Sequence, residues 1–233
     1  MTEFRVEKKY LVSDLDLAVL SQRLSRVMER DKHQDGDCYV IRSLYFDDIV
    51  DNCIAENAAG VDRRSKYRIR IYDPKGSLIR LEIKEKQNGL TRKWGCPLLP
   101  QEYRRILEAP ETMEFGDKPV LNRFLMQVRC RMLRPRAIIC YERTAFTHPS
   151  GNVRVTFDRS IEASGQCADL FDPELSDFVP VLPTGKQILE VKYDEFLPDM
   201  IARELETGRL QQTAFSKYYL GRMALMGQFP LGI

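Results

Sequence analysis

Charged and apolar residues alternate one for one along several short runs of this chain. That spacing limits what it can fold into more than any other feature. In Lys66-Tyr67-Arg68-Ile69-Arg70-Ile71-Tyr72, one strand face carries Lys66, Arg68 and Arg70 and the other carries Tyr67, Ile69 and Ile71. Arg80-Leu81-Glu82-Ile83-Lys84-Glu85-Lys86 sets Arg80, Glu82, Lys84 and Lys86 against Leu81, Ile83 and Glu85. Phe4-Arg5-Val6-Glu7-Lys8-Lys9, Val153-Arg154-Val155-Thr156-Phe157-Asp158 and Ile188-Leu189-Glu190-Val191-Lys192-Tyr193 repeat the pattern. Side chains on a strand point alternately to opposite faces, so each run has one face for a core and one cationic face seeded with carboxylates. Two architectures accommodate this. An open antiparallel sheet would solvate the charged faces. A sheet closed with them inward would enclose a basic tunnel for a polyanion. The recurrence of Arg at Arg68, Arg70, Arg143 and Arg154 leans toward the tunnel, because the guanidinium fork suits phosphate. The carboxylates are few and isolated, which suits metal ligation inside a cationic site.

The 233 residues suffice for one large domain, and no linker, composition break or repeat divides residues 1–233. A net charge of +2 excludes a polybasic nucleic-acid coat, so any positive field is local. The six cysteines show no CxxC pair, and buried reduced thiols, consistent with the cytoplasm, are expected. The first residues run straight into a charged strand, so no signal peptide is expected, and no apolar run is long enough to span a bilayer. Only His33 and His148 occur, in a polar stretch and before a turn. No GxSxG, Walker A, GxGxxG or HExxH motif is present. A histidine-based hydrolase is therefore not expected. Any chemistry falls to carboxylates, Lys, Arg and a hard metal.

The periodicities predict strands over 4–12, 39–47, 66–72, 78–85, 136–146, 153–158 and 187–193. Helices are predicted after Ser13 (an N-cap with Asp16 three residues on), over 100–109, from Pro119 until Pro135 ends it, from Leu197-Pro198 to Leu205, and over 216–226. The 52–60 segment reads as a short helix or a loop. Asp73-Pro74-Lys75-Gly76 and Gln87-Asn88-Gly89-Leu90 read as turns. Tyr67, Phe146 and Phe157 are expected in the core, and Tyr10, Tyr45 and Trp94 in packing rather than base stacking. The helices from Pro119 and Pro198 can jacket a barrel whose lumen is polar.

Eight segments in order resemble the VTC domain, the polyphosphate polymerase domain of the triphosphate tunnel metalloenzyme (CYTH-like) superfamily. They are Lys9-Tyr10, Ser43-Leu44-Tyr45-Phe46-Asp47, Tyr67-Arg68-Ile69-Arg70, Leu81-Glu82-Ile83-Lys84, Tyr141-Glu142-Arg143-Thr144-Ala145-Phe146, Arg154-Val155-Thr156-Phe157-Asp158, Leu189-Glu190-Val191-Lys192 and Phe215-Ser216-Lys217-Tyr218. The resemblance implies an α+β fold: an antiparallel β-barrel tunnel with a basic lumen and helices outside. It implies transfer of the γ-phosphate of ATP or another nucleoside triphosphate to a growing polyphosphate chain, with Mn²⁺ or Mg²⁺. Pyrophosphate is a further expected partner, nucleic acid is not, and a separate membrane-protein partner is left open.

By the same resemblance, Lys9, Arg68, Arg70, Lys84, Arg143, Arg154 and Lys217 fall on phosphate-holding positions. Tyr141, Ser216, Glu82 and Lys192 fall on the substrate-binding surface, and Glu190 with Glu7 on the metal. Glu7 and Glu82 have a second reading as cross-strand partners of Lys9 and Lys84. Two positions depart from the pattern. Hydrolytic members begin with Glu-x-Glu-x-Lys, where this chain has Arg5-Val6-Glu7-Lys8-Lys9, which fits the polymerase branch. Eukaryotic polymerases carry Lys-Phe-Ser-Lys, where this chain has Ala214-Phe215-Ser216-Lys217. The alternatives are a non-catalytic polyphosphate or triphosphate-binding module, or a triphosphatase or nucleotidyl cyclase of the same superfamily.

Overall fold

The computed structural model describes residues 5–228 apart from 33, 35, 74–77, 168–169, 173 and 209. Phe4, His33 and the centre of the turn expected at 73–76 lie outside the described residues. In chain order the elements are β1 (Val6–Ser13), α1 (Asp14–Leu24), β2 (Glu29–Arg30), β3 (Tyr39–Asp47), α2 (Asn52–Ala58), β4 (Arg64–Tyr72), β5 (Ile79–Gln87) and β6 (Leu90–Leu98). There follow α3 (Pro100–Glu108), α4 (Pro119–Arg131), β7 (Arg134–His148), β8 (Val153–Ser164), β9 (Val179–Pro180), β10 (Lys186–Tyr193), α5 (Asp199–Leu205) and α6 (Lys217–Leu225).

One antiparallel sheet runs β1-β10-β8-β7-β3-β4-β5-β6, with β2 paired to β7 and β9 to β8. It curls until its two ends meet. Arg5 N donates to Thr91 O at 3.1 Å and Thr91 N to Arg5 O at 3.3 Å, joining the start of the chain to β6. Closure gives the alternation its meaning. The charged parity faces the lumen, and the apolar parity faces two helical covers. On one side Phe124 of α4 packs edge-on to Phe46, with centroids 5.0 Å apart, and near Tyr67. On the other, Leu20 and Leu24 of α1 and Ile201 and Leu205 of α5 bury Val155, Phe157, Leu189 and Val191. Burying each such side chain stabilises by about 1.5–3 kcal/mol. The apolar jacket and polar lumen are thus as expected.

Local signals explain the boundaries. Ser13 Oγ accepts from Asp16 N at 3.1 Å and Ser13 N donates to Asp16 Oδ2 at 3.1 Å, a closed capping box. Asn88 and Gly89 take φ of 51° and 73°, the paired positive values of a type I′ hairpin between Gln87 and Leu90. The ambiguous 52–60 segment contains a helix, α2. One expectation is corrected. Pro135 does not end α4; Met132 does, at φ 52°, with its side chain exposed. Pro135 sits inside β7 where the β3–β7 register shifts, a place that tolerates its missing N–H.

A bulge in β8 decides what the lumen contains. Cys140 pairs with Glu162 but Glu142 with Arg159, so β8 carries one extra residue, and Ser160 takes φ 49° there. The inward parity therefore changes from Arg154, Thr156 and Asp158 to Ile161 and Ala163. Charge lines one part of the lumen, and α6 closes the apolar part. A Cβ on Gly221 would lie 3.1 Å from that of Ala163 and 2.3 Å from Ile139 Cδ1, so a larger residue there would require the Ile139 side chain to move. All six cysteines are free, as expected, but only Cys53 and Cys96 are buried, and Cys130 is exposed. No described helix is long and apolar enough to cross a membrane.

Candidate functional site

The short segment 215–217, leading into α6, shows which side chains point inward. Lys9 on β1 donates to Phe215 O at 2.8 Å, Lys66 on β4 to Ser216 Oγ at 2.7 Å, and Lys217 Nζ stands 2.6 Å from Asp158 on β8. Strands far apart in the sheet order reach one segment, so their charged faces converge on one interior.

Four carboxylates organise the cations there. Glu82 is fully buried; it meets Arg68 Nη2 at 2.6 Å, Lys93 at 3.0 Å and Arg70 at 3.9 Å. Asp158 holds Arg143 through two bonds of 2.6 and 2.8 Å. Glu190 lies 3.1 Å from Lys192 and 3.6 Å from both Lys9 and Arg143. Glu7 reaches Lys84 of β5 at 2.6 Å, where the sheet's ends meet, and Lys192 at 3.8 Å. Hydroxyls fix the arginine planes: Arg70 donates to Tyr141 at 2.9 Å and Ser43 at 3.1 Å, and Arg68 to Tyr45 at 2.9 Å. Arg154 stands apart at the rim, partly exposed, paired with Asp31 and donating to Tyr39 at 3.1 Å. The structure thus brings together Lys9, Arg68, Arg70, Lys84, Arg143, Lys217, Tyr141, Ser216, Glu82, Lys192, Glu190 and Glu7, with Arg154 at the edge. Glu7 pairs across strands with Lys84 and Lys192 rather than primarily with Lys9, and Glu82 with Arg68 and Lys93 rather than Lys84.

Sequence reasoning left several lumen residues without a site role, among them the charged Lys66, Lys93 and Asp158. The parity rule carried the signal for two of them, since Lys66 precedes Arg68 by two residues and Asp158 follows Arg154 by four. Lys93 lies on a strand without clean alternation.

The electrostatics follow from crowding cations in a buried space. Burial alone would raise the lumen carboxyls, but the cations win. Lys84 and Lys192 bring Glu7 down to about 2, and Arg143 with Lys217 bring Asp158 to about 2. Arg68, Arg70 and Lys93 hold Glu82, and Lys192 and Lys9 hold Glu190, well below the usual carboxylate range. For lysines, burial acts the other way. It lowers Lys9 to about 8, against the pull of Glu190, and also lowers Lys66 and Lys192. Lys217 is raised, because Asp158 overcomes its burial.

These shifts predict a stability profile. A lysine depressed on folding binds fewer protons in the native state, so stability grows as pH rises from about 8 toward 10.5, the window set by Lys9. Lys66 and Lys192 add the same sign. The thiols of Cys53 and Cys167, raised by burial, work the other way once pH passes about 9, so the melting temperature of ligand-free protein should rise between about 8 and 9, and a bound polyanion should flatten that rise. A temperature that falls steadily between those values contradicts this linkage. On the acid side, the stability contributed by Glu7 is complete above about 4.5 and lost as pH falls toward about 2.

Among the described residues no three His, Cys, Asp or Glu side chains group as a metal cage. Glu7 and Glu190 converge on one lysine, Lys192, and both are ionised. Two carboxylates on a cationic surface suit Mg²⁺ or Mn²⁺, which take one or two carboxylates and complete their shells with phosphate oxygens and water. The donor set fits such an ion.

A curled antiparallel sheet whose ends meet at Arg5 and Thr91, and whose interior is lined by arginine and lysine with a minority of carboxylates, has the architecture of a tunnel fold. The profile of one family, the VTC domain, matches residues 4–226, and the chain belongs to that family. It is thereby a member of the triphosphate tunnel superfamily. Among solved structures, a protein from Bacillus halodurans described as a candidate adenylate cyclase is similar, with a TM-score of 0.53 at 16% identity, covering 92% of this chain and 95% of that one. A second, from Vibrio parahaemolyticus and described in the same way, has a TM-score of 0.51 at 12% identity, covering 94% of this chain and 98% of that one. Both likenesses concern the fold. No curated protein matches the chain by sequence.

Proposed function

We propose that the chain is a metal-dependent polyphosphate polymerase that transfers the γ-phosphate of ATP to a growing polyphosphate chain within the lumen. One observation carries this reading: arginines held in fixed planes by Tyr141, Ser43 and Tyr45 line the same space as Glu7 and Glu190. Fixed guanidinium groups neutralise charge on transferring phosphoryl oxygens without reorganising during the reaction.

Arg68, Arg70 and Arg143 grip non-bridging oxygens of the triphosphate, while Lys9, Lys84 and Lys192 balance the remaining charge. A divalent ion held by Glu7 and Glu190 would supply further charge neutralisation between phosphate groups. The terminal phosphate of the acceptor is already ionised, so it attacks the γ-phosphorus without a general base. The absence of any histidine from the described lumen is consistent with that. At the first position of the β1 frame, Arg5 is bound to Asp194 at 2.7 Å, which removes a carboxylate that a hydrolytic variant would place there.

The test is incubation of the purified chain with ATP and Mn²⁺ and resolution of the product on a gel. Long-chain polyphosphate together with ADP is the expected result. Orthophosphate alone would make the chain a triphosphatase, and tight polyphosphate binding without turnover would make it a binding module.

A further inference from the structure

Most lumen lysines stand beside a carboxylate. Lys9 and Lys192 have Glu190, Lys84 has Glu7, and Lys217 has Asp158. Lys66 has none within ion-pair distance among the described residues. Its amine meets two neutral oxygens instead, Asn57 Oδ1 at 2.9 Å and Ser216 Oγ at 2.7 Å. The groups that face it are Lys9 from β1, Lys84 from β5, Arg64 from its own strand and the Cys53 thiol from α2. Burial, then Lys9, Lys84 and Arg64, depress the Lys66 amine well below its ordinary 10.5. Lys66 therefore occupies a pocket of positive potential with no countercharge built in.

Ser216 adds direction to that pocket. It caps α6, its Oγ accepting from Tyr219 N at 3.2 Å, so the positive end of a nine-residue helix opens beside Lys66. An internal phosphate of a polyphosphate carries one negative charge. A terminal phosphate carries up to two, and it is the group best able to hold a proton on a neighbouring amine.

We propose that Lys66 and Ser216 form a subsite for the terminal phosphate of a triphosphate or polyphosphate chain, and that filling it takes up one proton from solvent. This rests on the reading of the lumen as a polyphosphate site. Asn57 orients the amine through its Oδ1. The proton taken from buffer converts the amine to an ammonium, which then donates to the phosphate.

The test is calorimetric titration with tripolyphosphate at one mildly alkaline pH, in two buffers of different ionisation enthalpy. Parent protein should take up more protons on binding than Lys66→Arg, whose guanidinium is charged in both states. Lys66→Arg should bind within a few-fold of the parent, while Lys66→Met should bind about tenfold more weakly and also lose the extra uptake. Cyclic trimetaphosphate, which has no terminal phosphate, should show no difference between parent and Lys66→Arg. Equal uptake in parent and Lys66→Arg overturns the proposal, as does a parent that binds no tripolyphosphate. Equal Lys66-dependent uptake with trimetaphosphate overturns the assignment to a chain end. Lys66-dependent uptake in a protein that makes no polyphosphate from ATP would keep this inference and remove the polymerase reading.

Discussion

Glu82→Ala should destabilise the ligand-free protein by about 3–5 kcal/mol, the usual cost of removing one side of a buried ion pair. Glu82 has no exposed surface, and its two oxygens hold Arg68 and Lys93 directly with Arg70 close by. Without it, three cations face one another around an empty centre. The loss should be partly reversible, because tripolyphosphate returns the missing negative charge. Chemical denaturation with and without tripolyphosphate reads both effects. A loss below about 1 kcal/mol, in the range of an exposed pair, would mean that solvent already screens these arginines. Equal loss with and without the anion would mean that it binds elsewhere.

The second large effect separates binding from turnover. Arg70→Ala removes a buried guanidinium fixed by Tyr141 and Ser43, and should weaken triphosphate binding and slow transfer about 10²- to 10³-fold, as when one preorganised donor is lost. Glu190→Gln should instead abolish metal-dependent turnover while leaving metal-free polyphosphate binding intact or tighter, since it removes a negative charge from an anion site. Measuring polyphosphate affinity without metal, and turnover against Mn²⁺, distinguishes the two. A Glu190→Gln variant with normal turnover and unchanged Mn²⁺ dependence would remove Glu190 from the metal site.

Much of this arrangement is legible in the amino-acid sequence, because a strand's period of two carries both fold and site. Arg68 and Arg70 share a face, and so do Glu82 and Lys84, whatever the sheet does. Ser13 with Asp16 and Asn88 with Gly89 mark their boundaries by local chemistry alone. What alternation cannot supply is the direction of curvature. Inward and outward charged faces have the same pattern, and the choice follows from helices distant in the chain that cover the apolar faces, α4 over Phe46 and Tyr67 and α1 with α5 over Val155, Phe157, Leu189 and Val191. The β8 bulge is hidden for a related reason: Ser160 at positive φ is imposed by its neighbours, since its own propensity does not favour it. Met132 ends α4 in the same conformation and carries no local stop signal, whereas the nearby Pro135 carries a strong one. Strands β2 and β9 are two residues each, too short for any period. Lys66 is visible as a charged residue on the right face. Its lack of a carboxylate partner depends on what β1, β5 and the segment before α6 bring around it.

The central claim is that the inward faces of these strands hold a phosphate chain, and the most direct measurement is a crystal structure of the protein with tripolyphosphate. The expected result is a row of three phosphorus peaks inside the barrel, with oxygens within hydrogen-bond distance of Arg68, Arg70 and Arg143 and one end beside Lys66 and Ser216. Tripolyphosphate bound only on the outer surface, with the lumen ion pairs of Glu82 and Asp158 undisturbed and no anion among them, would contradict it.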